Sequence, residues 1–224
     1  MKLSIIVPVW NESATLPALL DHLQLVRANG VEVIVVDGGS SDGSTDIVSR
    51  AGVRVIRSEH GRARQMNAGA RAAAGDVLLF LHADTRLPDG ATEHIAKALQ
   101  DHRQVWGRFD VEVQGTSRML RVVARFINLR SRLTGIETGD QAMFVARRAF
   151  RMVGGYPDQP LMEDVELSRR LRELSWPVCL RAQVRTSGRR WETRGVWKTI
   201  LLMWRLRWSY WWGASAEDLA RMYR

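Results

Sequence analysis

Two aspartates stand where strand-like runs of the chain end, and carboxylates in that position can bind cations. Asp84 and Thr85 follow the apolar run 77–81, and Asp37 comes directly after the run 31–36. Ligands of open α/β sheets bind at the carboxyl ends of the strands, so both carboxylates are predicted to face one crevice. Mg²⁺ or Mn²⁺ is usually held by one or two carboxylates together with substrate phosphates. Asp84 is therefore the candidate metal ligand, and Asp37 is a second candidate for ligand binding.

A third acidic group, Glu163 and Asp164, lies at the start of a helix-like segment. Negative charge in a first helical turn is favoured by the helix dipole, so a structural role and a functional role both stay open for this pair. His82, two residues before Asp84, is suited either to a softer ion such as Mn²⁺ or to a structural partner.

Arginines are grouped near the same elements, and guanidinium groups are suited to phosphate. Arg62 and Arg64 stand at the start of the third predicted helix, where backbone amides and guanidinium forks can both bind a phosphate. Arg189, Arg190 and Trp191 form a second compact group, which suits an anion beside an aromatic face. The crevice is thus expected to take an anionic ligand.

The elements that must position these residues alternate in type along the first half of the chain. Apolar, β-branched runs predict strands, and amphipathic stretches between them predict helices. The predicted strands are 3–9, 31–36, 53–56 and 77–81, and the predicted helices are 14–26, 44–49 and 63–73. This order predicts an α/β fold whose mostly parallel sheet carries helices on both faces. The second half is less regular, with strands predicted at 106–113 and 142–145 and helices at 118–132 and 163–174.

Two common nucleotide-binding loops are absent from the sequence. A dinucleotide-binding domain should carry G-x-G-x-x-G after its first strand, but residues 9–13 contain no glycine. The G-x-x-x-x-G-K-[ST] loop is missing as well. A sheet of this type must therefore hold a nucleotide in another way.

The composition favours anionic partners and a reducing compartment. The 224 residues carry a formal net charge of +9, which suits nucleotide phosphates, nucleic acid or an anionic lipid surface, with an ordinary solvated basic surface as the alternative. The single cysteine, Cys179, excludes an intramolecular disulfide and fits the cytoplasm. Residues 1–9 lack the features of a signal peptide, and no apolar window reaches the ~18 residues of a membrane-spanning helix. A cytoplasmic protein, acting on the inner face of the cell membrane, is the expectation.

Two helical segments could meet a membrane surface. In residues 118–132 an apolar stripe is flanked by arginines, which fits a packed helix or a membrane-surface helix equally. The stretch 195–213 has one face made of Trp197, Leu201, Trp204, Trp208 and Trp211. Trp beside Arg suits the headgroup region of a bilayer, and a terminal helix docked on the catalytic domain is the alternative.

Together the motifs resemble a known family, the inverting glycosyltransferases of family 2, which have a GT-A fold. The matching segments are residues 4–12, 35–44 and 80–85 and the pair Glu163-Asp164. The variant with Asp37-Gly38-Gly39-Ser40 is similar to a small bacterial subgroup of radical-SAM-associated transferases, often labelled carotenoid-acid glycosyltransferase-like.

The resemblance implies a role for each matching residue. Asp84 corresponds to the last Asp of the D-x-D metal motif, and Asp164, with Glu163 before it, corresponds to the catalytic base. The implied nucleotide-sugar pocket consists of Pro8, Asn11, Glu12, Asp37, Gly38, Arg62, Arg64, Asn67, His82, Ala83, Arg190 and Trp191.

Three positions depart from the family pattern. Gly38 stands where many relatives have an Asp that contacts uracil, and His82 replaces the first Asp of D-x-D. Ser187 replaces the Gln of the motif seen in processive members, so polymer synthesis is not expected.

The resemblance thus predicts a single GT-A domain over 1–192, with a nucleotide-binding half 1–90 and an acceptor half 91–192, followed by an amphipathic Trp/Arg-rich helical tail at 193–224. It implies metal-assisted transfer, with Mg²⁺ or Mn²⁺, from a nucleotide-diphosphate sugar to a lipid-like or carotenoid-like acceptor. A sugar-phosphate nucleotidyltransferase and a basic nucleic-acid or membrane-surface module are the alternatives. No nucleic-acid partner is expected, and the sequence leaves the oligomeric state open.

Overall fold

The computed structural model describes residues 1–101 and 103–223, with the side chain of Arg190 outside that description. Its first half alternates strands and helices as predicted, because β1, β2 and β4 are continuous apolar runs and the helices between the strands bury apolar side chains. The elements are β1 (Leu3–Val9), α1 (Leu16–Ala28), β2 (Glu32–Asp37), α2 (Ser44–Arg50), β3 (Arg54–Arg57), α3 (Arg62–Ala72) and β4 (Val77–Phe80).

The second half contains the predicted elements and several that were not predicted. Its elements are β5 (Thr85–Arg86), α4 (Ala91–Ala98), β6 (Trp106–Gln114), α5 (Met119–Thr134), a 3-10 turn (Gly139–Gln141), β7 (Phe144–Ala146), α6 (Arg147–Met152), α7 (Glu163–Arg172), β8 (Val178–Ser187), α8 (Arg189–Arg194), α9 (Val196–Trp211) and α10 (Ala216–Tyr223). Strand β8 escaped prediction because most of its side chains are partly buried or exposed and two of them, Arg181 and Arg185, are charged, so it lacks a long apolar run.

The strands form one mixed sheet in the order β3-β2-β1-β4-β7-β6-β8-β5. Strand β1 pairs in parallel with β2 on one side and with β4 on the other. Strand β7 is antiparallel to β4 and β6, β6 and β8 run parallel, and β5 is antiparallel to β8. The strand order therefore reverses at β1, where the crevice of an open α/β sheet lies.

Helices cover both faces of the sheet, as the sequence predicts. Side chains alternate along β1, so that Ile5 and Val7 join one core cluster and Ile6 joins the other. The first cluster includes buried residues of α1, α2 and α4, and the second includes buried residues of α3, α6 and α7. The sheet is consequently fixed from both sides, and its strand ends are rigid supports for a site.

The tail helices are packed on the domain. Leu206 of α9 and Leu219 of α10 are fully buried in a third cluster with Met162, the residue before α7. The face of α9 that carries Trp204 and Trp208 points outward. None of the helices in the described part of the chain is long and apolar enough to cross a membrane.

Candidate active site

A cleft of about 770 Å³ opens at the carboxyl ends of β1 and β4. It contains most of the polar residues that the sequence singled out. The predicted site residues that line it are Pro8, Glu12, Arg62, Arg64, His82, Ala83, Asp84, Glu163 and Trp191, and Arg189 lines it as well. The switch point of the sheet therefore gathers cations and carboxylates in one crevice, as ligand binding requires.

Asn11 and Asp37 hold the loops of the cleft and do not line it. Oδ1 of Asn11 accepts a hydrogen bond of 2.9 Å from the backbone N–H of Ser41. The buried Asp37 carboxylate accepts from the N–H groups of Gly39 and Ser40, at 3.0 and 3.1 Å. Both side chains thus tie the loop after β2 in place, because each satisfies backbone donors that the turn leaves without partners.

Gln65 was not predicted, and it lies beside Gly38. Its Nε2 donates to the carbonyl oxygens of Val9 and Val36, at 2.7 and 2.9 Å, and so joins the ends of β1 and β2. A Cβ at Gly38 would lie 3.0 Å from the end of the Gln65 side chain, so a larger residue there would require Gln65 to shift. Gln65 itself lines the cleft.

Asn67 lies outside the cleft lining, where it holds a neighbouring loop. Its Nδ2 donates to the carbonyl oxygen of Tyr156 at 2.8 Å, and its Oδ1 accepts from the Tyr156 N–H at 3.0 Å. Both ends of the amide are therefore engaged with one residue. The side chain of Arg190, also predicted for the pocket, lies outside the described residues.

Arg62 and Arg64 are anchored to different acidic partners at the start of α3. Nη1 of Arg62 lies 3.6 Å from Oε1 of the buried Glu163, and Arg64 pairs with Asp158 at 2.8 Å. Burial acts to lower the pKa of Arg62, but the carboxylates of Glu163, Asp164, Asp140 and Asp84 outweigh it and raise the pKa. Arg62 consequently remains positively charged beside the carboxylates that lie near it.

Asp84 lies on the turn between β4 and β5, half-buried, with Oδ1 3.4 Å from the hydroxyl of Thr85. The imidazole of His82 lies beside a carboxylate that was not predicted, with Nδ1 3.4 Å from Oδ1 of Asp140. No group of three or more His, Cys, Asp and Glu side chains within residues 1–101 and 103–223 is arranged to hold a metal. A cation at Asp84 would have one protein carboxylate, and substrate phosphates and water would complete its shell.

Glu163 and Asp164 open helix α7 and both line a small cavity, but only Glu163 lines the main cleft as well. Glu163 lines the main cleft and is 3% exposed, so burial raises its pKa, against the opposing charge of Arg62. Oδ2 of Asp164 accepts a hydrogen bond of 2.8 Å from the N–H of Gly139, and Oδ1 accepts from its neighbour Val165 at 2.7 Å. Asp164 is therefore a carboxylate whose orientation is fixed by backbone donors.

A small cavity of about 10 Å³ lies beside Asp164, and Glu137 lines it too. Both oxygens of the Glu137 carboxylate are buried and have no hydrogen-bond partner among the described residues. Burial, and then the charges of Asp164 and Asp140, raise the pKa of Glu137 well above its ordinary value. Both effects favour the protonated form of this carboxyl group. Glu137 and Asp140 were not predicted, although the acidic turn 137–141 between a helix and a strand is a signal for them.

Two arginines approach Asp164 from helices of the acceptor half and the tail. Burial, and next the Arg207 guanidinium, lower the pKa of Arg130 to about 9. Burial also lowers the pKa of Arg207, against the opposing charges of Asp164 and Asp140. Nε and Nη2 of Arg130 are buried without a hydrogen-bond partner among the described residues. The surroundings of Asp164 thus include cationic donors that an anion can satisfy.

Backbone strain is concentrated beside these residues. Within residues 1–101 and 103–223, three non-glycine residues adopt a left-handed conformation: Asn11, Ala142 and Met162, with φ of 54°, 48° and 64°. Asn11 belongs to the loop after β1, Ala142 follows the turn that binds Asp164, and Met162 precedes Glu163. Such conformations cost about 1–3 kcal/mol each and are typical of functional sites. The three strained residues lie in segments that also carry residues of the candidate site.

Helix α10 also contributes to the cleft. Glu217, Ala220 and Tyr223 line it together with residues of the first half. The predicted division at residue 192 stays a prediction, but the described tail is a wall of the site and packs on Met162.

A mixed α/β sheet with cations and carboxylates in a cleft at its switch point can bind an anionic ligand. The family model for glycosyl transferase family 2 matches residues 4–153, more than half of the chain. The chain belongs to this family.

Particular relatives agree with this assignment. The undecaprenyl-phosphate 4-deoxy-4-formamido-L-arabinose transferase of Yersinia pestis bv. Antiqua (strain Angola) is 30% identical over 162 residues, 67% of this chain and 49% of the relative. The chain spans about half the length of the curated relatives it matches.

Solved structures share the GT-A fold at low identity. S. aureus TarS 1–349 in complex with UDP-GlcNAc is 18% identical, with a TM-score of 0.66 over 84% of this chain and 58% of that chain. The mannosyltransferase PcManGT from Pyrobaculum calidifontis in complex with GDP-Man and Mn²⁺ is 22% identical, with a TM-score of 0.65 over 92% of this chain and 60% of that chain. The predicted α/β GT-A fold is confirmed.

Proposed function

We propose that this protein transfers a sugar from a nucleoside-diphosphate sugar to a lipid phosphate, with inversion at the anomeric carbon. The observation that carries the proposal is the meeting of Arg62, Arg64 and Asp84 in one cleft with Glu163, whose neighbour Asp164 is oriented by backbone. Family membership supports sugar transfer as the reaction. The proposal sets the reaction on the cytoplasmic face of the cell membrane.

The donor diphosphate is assigned to the three arginines of the cleft. These are Arg62, Arg64 and Arg189, and Arg62 pairs with Glu163. Negative charge grows on the departing diphosphate as the bond to the anomeric carbon breaks. Fixed cations lower the barrier because they stabilise that charge more in the transition state than in the ground state.

A divalent ion could be held in the cleft by a single protein carboxylate together with the donor phosphates. Asp84 would hold Mg²⁺ or Mn²⁺ against the diphosphate. It would be the one carboxylate ligand, because His82 occupies the first position of the segment that resembles a D-x-D motif. The bound ion would neutralise charge on the leaving group. The Mn²⁺ in the mannosyltransferase complex supports the same assignment.

Asp164 is the proposed base. In an in-line displacement the acceptor oxygen forms a bond to the anomeric carbon while the diphosphate oxygen leaves from the opposite side. A proton on the acceptor oxygen would pass to the Asp164 carboxylate, which Gly139 holds in a fixed orientation. An acceptor that is already ionised needs little of this help.

A lipid phosphate is favoured as the acceptor by two observations. The name of the Yersinia relative includes undecaprenyl-phosphate, a lipid phosphate. In this chain the charge of Asp164 acts on both Arg130 and Arg207, and Nε and Nη2 of Arg130 are buried without a hydrogen-bond partner among the described residues, which suits an anionic headgroup. A carotenoid-like acid, the acceptor of the bacterial subgroup, has an anionic headgroup too, and membership of that subgroup stays a prediction.

The test is a thermal-shift screen of UDP-sugars and GDP-sugars, each with and without Mn²⁺. A ligand of the native state raises the unfolding midpoint, by about 2.7 kcal/mol of stability at a concentration of 100 Kd. At least one sugar nucleotide should raise the midpoint, and Arg62→Ala should lose that rise. Arg50→Ala, an exposed arginine of α2, is the matched control and should keep it. The proposal fails if no sugar nucleotide shifts the midpoint while oligonucleotides do.

A further inference from the structure

Helix α5 carries two apolar stripes, and only one of them faces the core. Leu120, Val123 and Ala124 are buried against the sheet. A second stripe recurs at i, i+4, i+7 and i+11 on the outer side. It consists of Val122, Phe126, Leu129 and Leu133, which are 40%, 62%, 54% and 71% exposed. A solvated helix of a soluble domain needs only the first stripe.

Helix α9 repeats this arrangement with larger side chains. Its inner face is anchored by Thr199 and Leu206, both nearly or fully buried. Its outer stripe, with the same spacing, consists of Trp197, Leu201, Trp204, Trp208 and Trp211, all at least 62% exposed. Trp208 and Trp211 contact each other, with ring centroids 5.8 Å apart. Large exposed apolar patches of this kind mark interaction surfaces.

Charge on the two helices has one sign only. Neither Met119–Thr134 nor Val196–Trp211 contains an aspartate or a glutamate. Both contain cations beside the outer stripes. Those that are exposed are Arg121, Arg125, Lys198 and Arg205, and Arg118 stands exposed just before α5. An acid-free surface with tryptophan and arginine side by side is complementary to an anionic lipid headgroup layer.

Each of the two helices also carries a partly buried arginine, Arg130 on α5 and Arg207 on α9. The positive charge of Arg207 lowers the pKa of Arg130, and the negative charge of Asp164 acts on the pKa of both arginines in the opposite direction. The helices therefore carry cations that interact with the proposed base as well as cations on their outer sides.

We propose that the outer stripes of α5 and α9 form a docking surface for an anionic lipid bilayer. The helices lie in the headgroup region with tryptophan and phenylalanine inserted and with arginine and lysine on lipid phosphates. None of the described helices can span the bilayer, so attachment through this surface is peripheral. The surface deepens the proposed function and rests on it for the chemistry of the acceptor: a lipid phosphate would be taken from the layer to which the protein is bound.

The test is co-sedimentation of the full chain with phosphatidylglycerol and phosphatidylcholine vesicles at low and high salt. Binding to phosphatidylglycerol at low salt should exceed binding to phosphatidylcholine and should weaken as salt rises. Trp204→Ser/Trp208→Ser should weaken binding by at least about tenfold, because apolar side chains leave the interface. The matched control is Leu25→Ser/Met152→Ser, whose side chains are 78% and 63% exposed on α1 and α6. This control should bind as the unchanged protein does.

Three outcomes would overturn the docking surface. They are no binding to phosphatidylglycerol at low salt, full binding by Trp204→Ser/Trp208→Ser, and equal binding to both kinds of vesicle. Sedimentation velocity without lipid tests the alternative, in which a second copy of this chain binds to the outer stripes. A dimer that Trp204→Ser/Trp208→Ser converts to a monomer would assign the stripes to self-association instead.

Failure of the docking surface and failure of the proposed function are distinguishable. Sugar-nucleotide binding in the thermal-shift screen does not involve the outer stripes, so Trp204→Ser/Trp208→Ser should keep it. A protein that binds sugar nucleotides but no vesicles refutes the surface alone. One that binds vesicles but no sugar nucleotide refutes the function alone.

Discussion

The backbone N–H of Gly139 donates a hydrogen bond of 2.8 Å to Oδ2 of Asp164. This bond joins the 3-10 turn after α5 to the first residues of α7, so a backbone donor helps to orient the carboxylate. Gly139 is also pressed against His82, because a Cβ at position 139 would lie 2.6 Å from the imidazole. The 3-10 turn thus contacts both Asp164, the proposed base, and His82, which lies two residues before the proposed metal ligand Asp84.

Replacement of Asp164 by Asn should have an effect that depends on pH. A phosphate acceptor has its second pKa near 6, so above that value no proton needs to be removed. At pH ~8 turnover by Asp164→Asn should therefore fall by much less than the ~10²–10⁴-fold expected for loss of a general base, and the loss should grow below pH ~6. Initial rates with a lipid phosphate over this range measure it. Asp46→Asn, in the first turn of α2, is the control, and a large loss at every pH would point to a hydroxyl acceptor.

Replacement of Asp84 by Ala should abolish the response to metal. Asp84 is the cleft carboxylate assigned to Mg²⁺ or Mn²⁺, so its loss removes the protein ligand of the ion. Calorimetric titration with a nucleoside diphosphate should show that Mn²⁺ tightens binding to the unchanged protein and leaves Asp84→Ala unaffected. Asp89→Ala changes an exposed carboxylate of the next turn and should behave as the unchanged protein. Metal-stimulated turnover retained by Asp84→Ala would refute the assignment.

Replacement of Glu137 by Gln should stabilise the protein increasingly as pH rises. Burial raises the pKa of Glu137, so the folded state holds a proton that the unfolded state releases above pH ~4.5. The contribution of Glu137 to the free energy of unfolding is complete below that pH. It declines by up to ~1.4 kcal/mol per pH unit as the pH rises toward the raised pKa. The free energy of unfolding in urea, compared at pH ~4 and pH ~8 for Glu137→Gln and for the exposed Glu93→Gln, measures this. Parallel pH profiles for Glu137→Gln and the unchanged protein would show that Glu137 is not buried as a neutral acid.

Replacement of Asp110 by Ala should cost about 3–5 kcal/mol of stability. The Asp110 carboxylate pairs with the fully buried Arg108 and accepts from Nη2 of Arg132 at 2.6 Å. Its removal leaves a buried guanidinium without its counter-charge. Glu112→Ala on the same strand breaks an exposed pair with Arg185 and should cost about 0–1 kcal/mol. Equal losses of unfolding free energy in the two variants would contradict this account.

The sequence predicts most of the first half of the fold because its strands are buried on both faces. Such strands are continuous apolar runs, and β1, β2 and β4 are of this kind. Strand β8 was missed because exposed residues such as Arg181 and Arg185 interrupt its apolar positions. Helix α10 lies within the helical tail that was predicted at 193–224, and the structure shows that tail as two helices, α9 and α10.

The candidate site is predictable where residue type and chain position alone decide a role. Asp84 at a strand end and Arg62 at a helix start are such residues. Gln65 is different, since its partners Val9 and Val36 lie 56 and 29 positions away and only the folded sheet brings them together. Glu137 gains its properties from burial, which the sequence around it does not reveal.

Met162 belongs at once to the turn before Glu163 and to the buried cluster that holds α9 and α10. Its backbone must adopt a left-handed conformation, and its side chain must fill the space between Leu206 and Leu219. Two separate demands therefore act on this position. A glycine would relieve the backbone but empty the cluster, and a β-branched residue would fill the space but oppose the backbone. A single substitution at Met162 would consequently disturb both the turn before Glu163 and the packing of the tail helices.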